Sequence, residues 1–156
     1  MSSFPEILLI EDNADDRAMF VKAVAMSMLP ARVTCAADAP QAVARLNRIG
    51  DFAGQPLPSL IILDLSLPGL QGRTLLQVIR NAFGPRLVPI VVLTGSLREE
   101  DRAECERWGI SDYMVKPQSY FGLIEFVASL ARYIPPAATQ PDADAMTADG
   151  YAGGAD

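Results

Sequence analysis

The sequence predicts a doubly wound α/β domain built on a five-stranded parallel sheet. Two observations carry that reading. Three short runs of Ile, Leu and Val (residues 6–12, 60–65 and 88–94) lack the polar alternation of a strand with one wet face, so each fits a strand buried on both sides. Stretches with helical spacing separate them, and strict strand–helix alternation is the pattern of a parallel sheet with helices on both faces.

The elements follow in order. The first strand is Glu-Ile-Leu-Leu-Ile-Glu-Asp (6–12), and Asn13 is placed to cap a helix over 14–28. A weaker strand falls at Arg32–Ala36. Asp38 and Pro40 open a second helix with Val43, Leu46 and Ile49 on one face. The third strand, Leu60–Leu65, precedes a helix over Thr74–Phe83. The fourth, Val88–Thr94, precedes a helix over Arg98–Trp108. A weak strand at Asp112–Val115 leads to a last helix, Tyr120–Ile134, stopped by Pro135-Pro136. The domain is therefore expected over residues 1–134. The Ala, Asp, Gly and Pro of 135–156 have little to bury, and a flexible tail is expected there.

Composition excludes several functions. The chain has 156 residues, half of them hydrophobic, and a net charge of −6. The four aspartates of 135–156 account for −4, leaving −2 for the domain. A nucleic-acid binder would show a basic face, so none is expected. No apolar run approaches the roughly 20 residues of a membrane span, and no signal peptide is evident, so a cytoplasmic location is expected. Histidine is absent, which removes histidine triads, histidine metal ligands and any self-supplied phosphohistidine. Cys35 and Cys105 lie outside any metal or redox spacing and are expected to be unlinked thiols.

Chemistry is expected beyond the carboxyl ends of the strands. Those ends carry Glu11-Asp12, Asp64, Thr94-Gly95-Ser96 and Lys116-Pro117. With neighbouring strands about 5 Å apart, three carboxylates, a hydroxyl and an ammonium converge. Three acids repel one another unless cations intervene. Lys116 and one Mg²⁺ would balance them, Mg²⁺ being a cation that favours carboxylates, water and phosphate oxygens. The chemistry this suggests is phosphoryl transfer to a carboxylate.

The strings Ile-Leu-Leu-Ile-Glu-Asp-Asn (7–13), Leu-Ile-Ile-Leu-Asp-Leu-Ser-Leu-Pro-Gly (60–69), Val-Val-Leu-Thr-Gly (91–95) and Tyr-Met-Val-Lys-Pro (113–117) resemble response-regulator receiver domains of two-component systems. The resemblance implies a flavodoxin-like fold with strand order 2-1-3-4-5 and a signalling domain rather than an ordinary enzyme. It implies Asp64 as phosphoacceptor, Glu11 and Asp12 with Asp64 and the Ser66 backbone carbonyl as Mg²⁺ ligands, and Lys116 as the phosphate-binding lysine. Thr94 and Tyr113 would be the switch pair, with Tyr113 repacking inward on phosphorylation. The Lys116–Pro117 step is often cis in that family. A histidine kinase acting in trans is the implied donor. Asp64-Leu-Ser-Leu-Pro and the Gly50–Pro58 stretch further resemble stand-alone receivers paired with phytochrome-type kinases. Output would pass to a downstream protein or phosphotransfer protein.

Other readings fit less well. An aspartyl phosphatase would carry a second Asp where Ser66 stands. A flavin-binding protein would not present Glu11-Asp12 to a phosphate. A degenerate scaffold would not need the complete acceptor, acid pair and lysine. Arg98-Glu-Glu-Asp-Arg (98–102) reads as a solvated helix face. The last helix has two apolar sides (Leu123, Phe126, Leu130, Tyr133, and Ile124, Val127, Ala131, Ile134), and a surplus side would suit a homodimer. A helix buried on both sides is the alternative.

Overall fold

The computed structural model describes residues 4–67, 72–83 and 88–135. The expected tail, 136–156, lies outside the described residues. Strands β1 (Glu6–Ile10), β2 (Arg32–Ala36), β3 (Leu60–Leu63), β4 (Ile90–Thr94) and β5 (Asp112–Val115) alternate with helices α1 (Ala14–Met26), α2 (Ala39–Leu46), α3 (Gly72–Phe83), α4 (Glu99–Arg107) and α5 (Tyr120–Ser129). All strands pair in parallel, in the order β2-β1-β3-β4-β5. Chain winding therefore reverses between β1 and β3, where the crevice for a ligand opens.

Every residue of β1, β3 and β4 is buried, as the unbroken apolar runs require. The pleat then sends alternate side chains to opposite faces. Leu8, Ile10, Ile61, Leu63, Ile90 and Val92 pack with Ala42 and Leu46 of α2 and Leu75, Leu76 and Ile79 of α3. Ile7, Leu9, Leu60, Ile62, Val91 and Leu93 pack with Phe20 and Val24 of α1 and Phe126, Val127 and Leu130 around α5. Burying one such aliphatic side chain contributes about 1.5–3 kcal/mol, so these two layers hold the strand ends in place.

Local chemistry sets the helix starts. Asn13, Asp38 and Ser119 each accept an N–H from the first turn of the helix that follows, at α1, α2 and α5. α2 ends at Leu46 and leaves Ile49 exposed, so the expected third member of its apolar face does not join it. α5 is α-helical only to Ser129; Leu130–Tyr133 tighten into a 3₁₀ turn. Leu123, Ile124, Phe126, Val127, Leu130, Tyr133 and Ile134 all pack on one core layer. Ala131 is exposed, Leu123, Ile124 and Tyr133 are only partly buried, and Phe121 at the start of α5 is exposed, so part of the apolar surface of this helix stays uncovered. None of the described peptide bonds is cis, so Lys116–Pro117 is trans. Cys35 is exposed and Cys105 buried, and neither is linked. No helix among the described residues is long and apolar enough to cross a membrane.

Candidate functional site

Each of the expected acidic, hydroxyl and ammonium groups is set at or just past the carboxyl end of a strand. Glu11 and Asp12 follow β1, and the Glu11 N–H is tied to the Ala36 carbonyl at 3.0 Å. Asp64 follows β3, its N–H donating to the Ile10 carbonyl at 3.1 Å. Thr94 closes β4, and its carbonyl accepts the Lys116 N–H at 2.7 Å. The backbone ladder thus brings the expected residues into one crevice.

Carboxylate oxygens of Glu11, Asp12 and Asp64 lie within 4.8 Å of one another. Lys116 Nζ enters the group, donating to Glu11 Oε1 at 2.6 Å and to Asp64 Oδ2 at 3.1 Å. Asp64 is 3% exposed, and its Oδ1 also accepts the Ser66 N–H at 3.0 Å. Asp12 is exposed at the mouth.

Electrostatics follow from that crowding. Burial pushes the Glu11 carboxyl up to about 7; Lys116 pulls against this and the Asp64 charge adds to it. Burial acts to lower Lys116, but its bonds to Glu11 and Asp64 prevail and hold the ammonium charged well above the ordinary lysine value. Hard oxygen donors in this number suit a small divalent cation, which would relieve the repulsion that Lys116 alone only partly balances.

Thr94 is fully buried, and its hydroxyl accepts the Ser96 N–H at 3.3 Å. Tyr113 is 5% exposed and donates its hydroxyl to the Ser96 carbonyl at 3.2 Å. The inward position that the resemblance reserved for the phosphorylated protein is the one observed. Thr94 and Tyr113 do not bond each other here; both bond the backbone of Ser96.

Three further residues belong to the surroundings of the site and escaped sequence reasoning. Asp16 is a third carboxylate on Lys116, at 3.1 Å. Its signal is the helix cap: Asn13 accepts the Asp16 N–H, so Asp16 sits in the first turn of α1, above the end of β1. Gly72 lies against the backbone after Asp64, its N–H donating to the Leu65 carbonyl at 3.1 Å. Asp101, expected on a solvated face, is buried and binds both Ser96 and Arg73. The rest of that charge run (Arg98, Glu99, Glu100, Arg102) is exposed.

Residues 7–128 match the response regulator receiver domain family. The chain belongs to that family. Response regulator Rcp1 of Synechocystis sp. is 29% identical over 127 residues, covering 81% of this chain and 86% of that protein. The phosphorylated cyanobacterial phytochrome response regulator RcpA superposes with a TM-score of 0.76 at 29% identity, covering 86% of this chain and all of RcpA. The Mn²⁺-bound form of Rcp1 superposes with a TM-score of 0.72 at 29% identity over 81% of this chain and 91% of that one. This receiver domain is a signalling module of two-component type, and its acidic pocket of Glu11, Asp12 and Asp64 fits a phosphoacceptor aspartate beside a metal.

Proposed function

We propose that Asp64 is the phosphoacceptor and that the chain works as a phosphorylation switch driven by a histidine kinase. The observation that carries this is Lys116 bonded to both Glu11 and Asp64 at the winding reversal. A carboxylate nucleophile buried beside a fixed ammonium and a divalent-cation donor set is arranged for phosphoryl transfer, where positioning and charge neutralisation supply most of the catalysis.

In this reading Glu11, Asp12, Asp64 and the Ser66 carbonyl hold Mg²⁺. The cation supplies positive charge to the phosphoryl oxygens. Lys116 keeps a second positive charge beside the Asp64 oxygen that attacks phosphorus. The Thr94 hydroxyl exchanges its Ser96 N–H bond for the new phosphoryl group, and Tyr113, through Ser96, senses the change. The chain has no histidine, so the phosphohistidine is supplied in trans. The likeness to RcpA supports a phytochrome-type kinase as donor. Output passes by protein contact at the surface formed by α4, β5 and α5, in the cytoplasm.

The test is intact mass after incubation with acetyl phosphate. A gain of one phosphoryl group that needs Mg²⁺ and is lost in Asp64→Asn is expected. No gain in the folded protein, or an equal gain in the variant, removes the reading.

A further inference from the structure

A cavity of about 360 Å³ opens beside Leu65 and Ser66, the residues that follow the acceptor, between the loop after β3 and the loop after β4. Ser66, Thr94 and Ser96 line it together with Arg73 and Asp101. Water reaching a phosphoryl group on Asp64 from the side of Thr94 would cross this space.

The Ser96 hydroxyl is committed on most of its valences. It donates its one proton to Asp101 Oδ2 at 2.5 Å and accepts the Arg98 N–H at 3.2 Å. One lone pair is left. Asp101 is itself fixed, because Arg73 donates to Oδ1 at 3.0 Å while also holding Glu104 at 3.0 Å. The Arg73–Asp101 pair therefore dictates the polarity of Ser96, which can face the cavity only as an acceptor.

We propose that Asp101 is a positioning residue which, through Ser96, hastens loss of the phosphoryl group from Asp64. This rests on the reading of Asp64 as acceptor. A water donating one proton to Ser96 gains electron density on the oxygen that attacks phosphorus. Its oxygen bonds phosphorus as the bond from phosphorus to the Asp64 oxygen breaks. Asp64 leaves as carboxylate, and both water protons depart with inorganic phosphate as H₂PO₄⁻. Were the Ser96 proton free, it would turn to the water and draw electron density from the oxygen that attacks, making it a weaker nucleophile.

Asp101→Asn tests this with no change of shape. Arg73 holds the amide oxygen on its own side, so the NH₂ group faces Ser96 and donates to it. The polarity of Ser96 is then reversed. The full chain is loaded with acetyl phosphate and Mg²⁺, freed of donor, and followed by intact mass.

We expect the phosphoryl group to persist roughly fivefold longer in Asp101→Asn, the scale of one hydrogen bond. Ser96→Ala should persist as long, and adding Asp101→Asn to Ser96→Ala should bring no further change. An unchanged lifetime in Asp101→Asn, or an equal further gain in the Ser96→Ala background, overturns the proposal while leaving the acceptor reading intact. Should Asp101→Asn fail to fold, an unchanged lifetime in Ser96→Ala overturns it alone. A parent protein that takes no phosphoryl group removes both.

Discussion

A Cβ on Gly72 would stand 2.4 Å from the Leu65 Cα and 2.6 Å from the Asp64 carbonyl oxygen. Both are backbone atoms of the segment that carries the acceptor, so neither can give way cheaply. Gly72→Ala must push α3 away from the end of β3 or displace Asp64. Overpacking of this kind costs about 1–3 kcal/mol. The urea midpoint should fall at an unchanged slope, and phosphorylation by acetyl phosphate should slow as well. A variant with the parent's midpoint and rate would show that the turn relaxes freely.

The crowded carboxylates also predict how stability depends on pH. The Glu11 carboxyl is raised from 4.5 to about 7, so between those values the folded chain binds more protons than the unfolded one. Its contribution to stability is then greatest below pH 4.5 and is lost as pH rises toward 7. The raised Lys116 contributes with the same sign only far above this window. In EDTA, the difference in melting temperature between the parent and Glu11→Gln should therefore change in the parent's disfavour from pH 5 to pH 7. Mg²⁺ should flatten that change. A difference independent of pH would place the Glu11 carboxyl back in its ordinary range.

The strand ends were legible because burial on both faces demands unbroken Ile, Leu and Val, and the polar residues that stop such runs fall where the ligand crevice opens. Even the weak β2 and β5 were found at Arg32–Ala36 and Asp112–Val115. What escaped was set by contacts distant in sequence. Asp101 looks solvated in a run of charges, and only the approach of Arg73 from α3 and of Ser96 buries it. Gly72 is marked by two backbone atoms that no spacing rule brings near. The Lys116–Pro117 bond is trans and Tyr113 is turned inward, and neither is set by a spacing in the sequence.

The opposite end of the sheet holds an ion pair of the same distant kind. Arg45, 2% exposed, donates through Nε to Glu6 Oε2 at 3.0 Å and through NH2 to Glu6 Oε1 and to the Pro56 carbonyl at 2.9 Å. It ties α2 to the start of β1 and to the connection before β3. Its Nη1 is buried with no hydrogen-bond partner among the described residues. Arg45→Ala takes the buried cation from Glu6 but leaves Arg32 and Thr34 bonded to it, so the cost should be about 1.5–3 kcal/mol, that of a hydrogen bond to a charged group, rather than that of an uncompensated buried charge. Replacing both as Arg45→Met with Glu6→Gln should recover much of that loss in urea denaturation. A double variant as unstable as Arg45→Ala would mean that the pair contributes more than its own desolvation penalty.

Lys116 occupies the carboxylates that a divalent cation would take. Its ammonium bonds Glu11 and Asp64 directly, so an entering cation meets both a competitor for its ligands and a like charge a few ångströms away. Lys116→Met removes both effects, and a methionine of similar length keeps the apolar stem packed. Coulomb repulsion at this range, at the effective dielectric of a half-buried site, corresponds to roughly a tenfold change in affinity after screening. Calorimetric titration with Mg²⁺ or Mn²⁺ should therefore show tighter binding in Lys116→Met than in the parent, while phosphorylation by acetyl phosphate becomes slower. Opposite signs from one substitution would separate its competition with the cation from the phosphoryl-binding role proposed for it. Weaker metal binding in the variant would mean instead that Lys116 holds Glu11 and Asp64 in the geometry that the cation needs.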